Sequence, residues 1–143
     1  MNVSDYVLKF LVSKKIKDVF LITGGAISFM VDAFSRNKNI KYTCVAHEQA
    51  AGMMADAYSR LGPNLSCTMV TSGPGATNLI TGIACSWFDS IPAIHITGQV
   101  NSYEKQGSQP GTKNTRQIGF QETDIVSITK PITKFSYQLK KPN

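Results

Sequence analysis

Apolar positions along the chain alternate between two spacings, and the alternation repeats. Val7, Leu8, Leu11 and Val12 recur at helical spacing and predict a helix over 4–15, with Asn2 or Ser4 as N-cap. The apolar run 18–23 predicts a short buried strand, cut off by Gly24-Gly25. A weaker helical pattern covers 28–36, and 42–46 is again apolar and β-branched, as strands are. Ala50, Met53, Met54, Ala57 and Leu61 then share one face of a helix over 48–61, which Gly62-Pro63 stops. The same order follows once more. Residues 66–71 predict a strand, Ser72-Gly-Pro-Gly75 a tight loop, 76–88 a helix with Leu79, Ile80, Ile83 and Trp87 at its spacing, and 93–97 a strand. Beyond a polar stretch at 101–117, apolar residues resume at Ile118, and 132–137 is a last candidate strand. Strands nearly continuous in apolar residues and separated by helices need cover on both sides. The pattern therefore predicts an α/β fold, a parallel β-sheet flanked by helices on both faces.

Composition narrows this to a single domain, 1–143. A chain of 143 residues with 42% hydrophobic and 17% charged residues can build a core and is neither disordered nor supercharged. No run approaches the ~18 apolar residues of a membrane span. Asp5 and Lys9 interrupt the apolar residues at the start, unlike a secretory signal. Cys44, Cys67 and Cys85 are odd in number and form no CxxC pair, which predicts free thiols, no zinc, and a reducing, cytoplasmic setting. The formal net charge of +6 raises nucleic acid as a partner, but the cations are scattered, from Lys9 and Lys14 to Lys134 and Lys141. No basic cluster is interleaved with aromatics, so the expectation is a solvated basic surface with no nucleic-acid and no membrane partner.

In a parallel sheet, ligands gather beyond the carboxyl ends of the strands. Four such ends are readable: Thr23-Gly-Gly-Ala26, Ala46-His-Glu48, Thr71-Ser-Gly-Pro-Gly-Ala76 and Thr97-Gly-Gln-Val100. The Gly73-Pro-Gly75 loop suggests a phosphate cradle, but no Lys-Ser/Thr follows it, and Asn78 stands where a dinucleotide fingerprint needs a small residue. An ordinary nucleotide-binding domain is therefore disfavoured, and the loop by itself reads as structural. Glu48 has two readings: an acidic first-turn residue complementing the helix dipole, or a functional carboxylate. The small residues of 48–57 also suit close approach of a second helix, as at a subunit contact. His95, between Ile94 and Ile96, predicts a hydrogen-bonded core histidine, and His47 is placed to orient the turn before Glu48. Neither has a second metal ligand at useful spacing.

Five motifs occur in order: Gly24-Gly-Ala26, His47-Glu-Gln-Ala-Ala51, Ser72-Gly-Pro-Gly-Ala-Thr-Asn78, Asp89 to Val100, and Phe120-Gln-Glu-Thr-Asp124. Together they resemble the N-terminal pyrimidine-binding domain of thiamine-diphosphate enzymes, most closely the acetolactate synthase large subunit, from about Val3 to about Tyr137. The resemblance implies a 2-keto acid decarboxylase and carboligase acting on a substrate such as pyruvate. Glu48 matches the family glutamate that hydrogen-bonds N1′ of the cofactor's aminopyrimidine and so activates it. An apolar subunit interface would raise the pKa of such a carboxyl group and suit it to proton exchange. Pro74 and Asn78 match the loop packed near the pyrimidine ring, and Gly25 matches a backbone position lining the same pocket. Phe120 and Gln121 match residues facing the reacting carbons. A homodimer or homotetramer is implied, with the active site at the subunit interface.

Three departures qualify the match. Thr23 stands where the family usually has proline. The polar stretch 103–116 looks longer than in typical acetolactate synthases, which suggests a divergent branch acting on a larger keto acid or acceptor. The family holds its diphosphate through Mg²⁺ and a Gly-Asp-Gly…Asn motif in a C-terminal domain, and true acetolactate synthases carry FAD in a middle domain. These 143 residues contain neither, which suggests a truncated chain, inactive alone. The alternative is a non-catalytic stand-alone relic or assembly module of the same fold.

Overall fold

The computed structural model describes residues 1–139. Helix α1 (Val3–Ser13) starts at Asn2, whose side chain accepts a 2.8 Å hydrogen bond from the amide of Asp5. There follow β1 (Asp18–Leu21), a 3₁₀ turn at Gly25–Ile27, α2 (Ser28–Ser35), β2 (Lys41–Cys44), α3 (Glu48–Leu61) and β3 (Ser66–Val70). The second half holds α4 (Pro74–Asn78), α5 (Ile80–Phe88), β4 (Ala93–Thr97) and α6 (Ile125–Thr129), which runs into a 3₁₀ turn at Lys130–Ile132. The four strands are parallel in the order β2-β1-β3-β4, so their carboxyl ends share one edge.

The strand alternation distributes two cores, as the α/β expectation requires. Val19, Leu21, Cys67 and Met69 pack on one side with Leu8, Leu11, Ile16 and Phe34. Phe20 and Val70 pack on the other with Ala51, Ala55, Leu79 and Ile83. Full burial of a Leu, Val or Phe side chain is worth about 1.5–3 kcal/mol, so the central strands β1 and β3 anchor the fold. Edge strand β2 is exposed along its length, Cys44 included. All three thiols are free, and burial pushes that of Cys67 up to about 12. No helix among the described residues is long and apolar enough to cross a membrane.

Two expectations are corrected. The helix expected over 76–88 is interrupted at Leu79, whose amide bonds Ala76 O at 3.2 Å, a tight turn between α4 and α5. The strand expected over 132–137 does not form. Its first residue, Ile132, is taken up by the 3₁₀ turn Lys130–Ile132. The chain then folds back on α6: Thr133 Oγ1 donates to Thr129 O at 2.9 Å, and the Thr129 and Ser136 hydroxyls pair at 3.0 Å.

Helices α3 and α5 meet backbone to backbone. A Cβ built on Gly52 would lie 2.7 Å from Gly82 Cα, so only glycine at both positions permits this approach. A polar clamp closes the same crossing. Arg60 Nε bonds Asp56 Oδ1 at 2.5 Å, another Arg60 nitrogen bonds Asp89 Oδ2 at 2.5 Å, and Ser86 Oγ donates to Asp56 Oδ2 at 2.9 Å.

The Arg60 hydrogen bond, aided by Ser86 and opposed by burial, holds the Asp56 carboxyl below its usual range. A depressed folded-state pKa stabilises the fold above the unfolded value of about 3.9, and that contribution is lost as pH falls through the folded value. Asp56→Asn should therefore lower the urea midpoint at pH 7, and its deficit against the parent protein should shrink on acidification below about pH 4. A deficit that stays constant from pH 7 to pH 3 would contradict the clamp.

Candidate active site

The loop after β3 builds the centre of the site. Gly73 adopts φ 58° and ψ −121°, a conformation open in practice to glycine alone. A Cβ there would also lie 2.5 Å from Gln121 O. Pro74 opens α4, where its missing N–H has no partner to lose. Beneath the loop, the Thr71 side chain fills the space against both Gly24 and Gly75.

Glu48 is the first residue of α3, behind an N-cap in which His47 Nδ1 accepts from the amide of Gln49 at 3.2 Å. The helix dipole favours a carboxylate there, so the structural reading of Glu48 holds. A second feature goes beyond it. Asn78 Nδ2 donates to Glu48 Oε2 at 3.0 Å across thirty residues of sequence. The other oxygen, Oε1, is bonded to no donor among the described residues. It faces Gly75, where an added Cβ would stand 3.4 Å from Oε1 and 2.7 Å from Thr71 Cγ2. The arrangement is a half-buried carboxylate with one oxygen clamped, the other free, and a bare backbone beside it.

The other expected residues are arranged around this pair with different degrees of contact. Gln121, at φ 55°, sits with its carbonyl and Cβ against Gly73. Pro74 is exposed on the loop. Gly25 is exposed, with no atom within 4 Å of the position a Cβ would take, one residue from the Gly24–Thr71 contact. Phe120 is 82% exposed, brought here only as the chain neighbour of Gln121. His95 is hydrogen-bonded as expected but half-buried on edge strand β4, outside both cores: its Nδ1 lies 2.8 Å from Thr68 Oγ1, and desolvation pulls its pKa down to about 4, leaving the ring neutral.

Two residues escaped the sequence reading. Thr71 carries no signal beyond closing an apolar strand, since its role depends on two glycines from different loops. Glu122 accepts from the amides of Gln106 at 2.7 Å and Ile118 at 3.0 Å, tying together the two ends of the long polar loop.

A family model described as thiamine pyrophosphate enzyme, N-terminal TPP binding domain, matches residues 1–128. The chain belongs to that family. The matched span of this TPP-binding domain includes Glu48, the 72–78 loop and Phe120-Gln121. Its curated relatives include acetolactate synthase large subunits. That of Buchnera aphidicola subsp. Acyrthosiphon pisum is 42% identical over 141 residues, covering 96% of this chain and 22% of the relative. That of Cyanidium caldarium is 43% identical over 138 residues, covering 94% and 22%. The isozyme 3 large subunit of Escherichia coli K12 is 39% identical over 137 residues, covering 96% and 22%. The chain thus spans about a fifth of the length of the curated relatives it matches.

Proposed function

We propose that this domain holds the aminopyrimidine of thiamine diphosphate against Glu48, as part of an acetolactate synthase-like enzyme acting on a 2-keto acid such as pyruvate. When bound, the cofactor supplies an electron sink for decarboxylation and a carbon nucleophile for joining the remaining fragment to a second carbonyl. The observation that carries the reading is the free Oε1 of Glu48 beside Gly75, with Oε2 clamped by Asn78. An aminopyrimidine edge needs at its ring nitrogen a group that donates a proton to the bare nitrogen and accepts from the protonated one, together with a flat approach, and a carboxyl oxygen beside bare backbone fits both needs.

Glu48 Oε1 would share one proton with the ring nitrogen, donating it to the bare nitrogen and taking it back from the protonated one. Asn78 fixes the carboxyl rotamer, so no reorganisation is needed at the moment of transfer. Gly75 keeps the face of the ring clear of side chains. Pro74 and Gly25 line the same pocket from two loops. Gln121 offers its amide to the substrate carboxylate or carbonyl, and Phe120 closes over the reacting carbons and excludes water. Mg²⁺ and the diphosphate would be held by residues outside these 143, which carry no Gly-Asp-Gly…Asn motif.

Helices α3 and α5 leave Met53, Met54, Trp87 and Phe88 exposed, which supports a homodimer or homotetramer that closes the site against a partner's diphosphate-binding domain. Three free cysteines suit the reducing cytoplasm. The complete protein, supplied with thiamine diphosphate, Mg²⁺ and pyruvate, should release carbon dioxide and form a carboligation product. A protein that binds the cofactor yet decarboxylates no 2-keto acid would overturn the proposed activity.

A further inference from the structure

At the carboxyl edge of the sheet, the strand-end loops meet through contacts between bare backbone and single side chains. Gly98, beyond β4, packs on Ala26: a Cβ on Gly98 would lie 2.6 Å from that of Ala26. Gly24, beyond β1, and Gly75, in the first turn of α4, both pack on Thr71. Thr71 directly follows β3, a wholly buried strand between β1 and β4, so its backbone is anchored in the middle of the sheet.

One atom of that side chain bridges the two loops. Thr71 Cγ2 lies 2.9 Å from the position of a Cβ on Gly24 and 2.7 Å from that of a Cβ on Gly75. The hydroxyl has no hydrogen-bond partner among the described residues and lies 2.7 Å from the Gly24 position alone. Branching at Cβ restricts χ1, so the methyl is a stiff spacer. The same Gly75 position is 3.4 Å from Glu48 Oε1. The methyl and the free carboxylate oxygen therefore border one stretch of bare backbone. The turn that carries it is closed by a long bond, Gly75 N to Ser72 O at 3.3 Å, and without the methyl it has room to settle toward residue 71 and away from Oε1.

We propose that Thr71 is a positioning residue of the Glu48 site: its γ-methyl wedges the Gly24 and Gly75 loops apart and so sets how closely a ring lying along Gly75 approaches Oε1. The effect on chemistry rests on the function proposed above; the wedge itself does not.

Two measurements on the complete protein read the two parts separately. With thiamine diphosphate saturating, Thr71→Ala should slow hydrogen–deuterium exchange at C2 by about tenfold or more, as a misplacement of up to 1 Å does, while Thr71→Val, which keeps the branched shape, should stay within about twofold of the parent. A role confined to folding would lower the urea midpoint of Thr71→Ala and leave exchange in the saturated protein at the parental rate. The second measurement needs no cofactor. Gly75→Ala should lower the urea midpoint in the parent, where the added Cβ meets Thr71 Cγ2, but not in Thr71→Ala, where the nearest side-chain atom of residue 71 is its Cβ at 3.6 Å. Parental exchange in Thr71→Ala, or exchange in Thr71→Val as slow as in Thr71→Ala, would overturn the positioning role. An equal cost of Gly75→Ala in both backgrounds would overturn the wedge. If Glu48→Gln exchanges at the parental rate while the paired substitutions couple as stated, the wedge stands and the reading of Glu48 is what fails.

Discussion

Glu48→Gln, made in the complete protein, should slow hydrogen–deuterium exchange at C2 of bound thiamine diphosphate by about 10²–10⁴-fold, the range a positioned acid–base group contributes. The substitution is nearly isosteric. The amide oxygen of glutamine can still accept the Asn78 bond that holds Glu48 Oε2 at 3.0 Å. What it cannot do is carry a proton to and from the ring nitrogen. Folding should lose no more than the helix-dipole contribution of about 1 kcal/mol, while the collapse of exchange is what separates a chemical role from a structural one. Were Glu48 only the dipole-complementing residue at the start of α3, the change would cost a few tenths of a kcal/mol to about 1 kcal/mol of stability and leave C2 exchange untouched.

Gly82→Leu should lower stability by about 3 kcal/mol, at or beyond the upper end of ordinary overpacking, because the obstacle is backbone and not a movable side chain. A Cβ on Gly82 would stand 2.6 Å from Gly52 Cα and 3.0 Å from Gly52 C. Even Gly82→Ala should destabilise. In a helix with room around it, that change would instead gain about 1 kcal/mol from propensity. The sign alone thus decides whether the two helices touch. Urea midpoints measure it, and a midpoint for Gly82→Ala at or above the parent value would contradict the crossing. Separation would also shift α3, and with it Glu48, relative to Asn78 at the end of α4.

The sheet was legible because its apolar runs are short and bounded by glycine, and because Val19, Phe20 and Leu21 are apolar on both faces, as a covered parallel strand requires. Glu48, Pro74 and Asn78 were legible as motif positions at strand ends. The contact between Glu48 and Asn78 was not, since it joins two turns thirty residues apart. The strand expected over 132–137 misled because its residues suit a strand. What decides is whether an edge is available and whether the local hydroxyls offer the backbone an alternative, as Thr133 and Ser136 do. Gly52 and Gly82 look like ordinary helix-weakening glycines until the two helices are brought together. Glu122 was visible only as part of the Phe120–Asp124 motif, and its role was not, because its partners are backbone amides that carry no residue identity.

The most direct measurement is a crystal structure of the complete protein with thiamine diphosphate bound. Glu48 Oε1 should lie about 2.6–3.2 Å from N1′, within hydrogen-bond reach, with the ring beside Gly75 and Asn78 still on Oε2. A cofactor seated elsewhere, with the Glu48 carboxylate turned to solvent, would contradict the account.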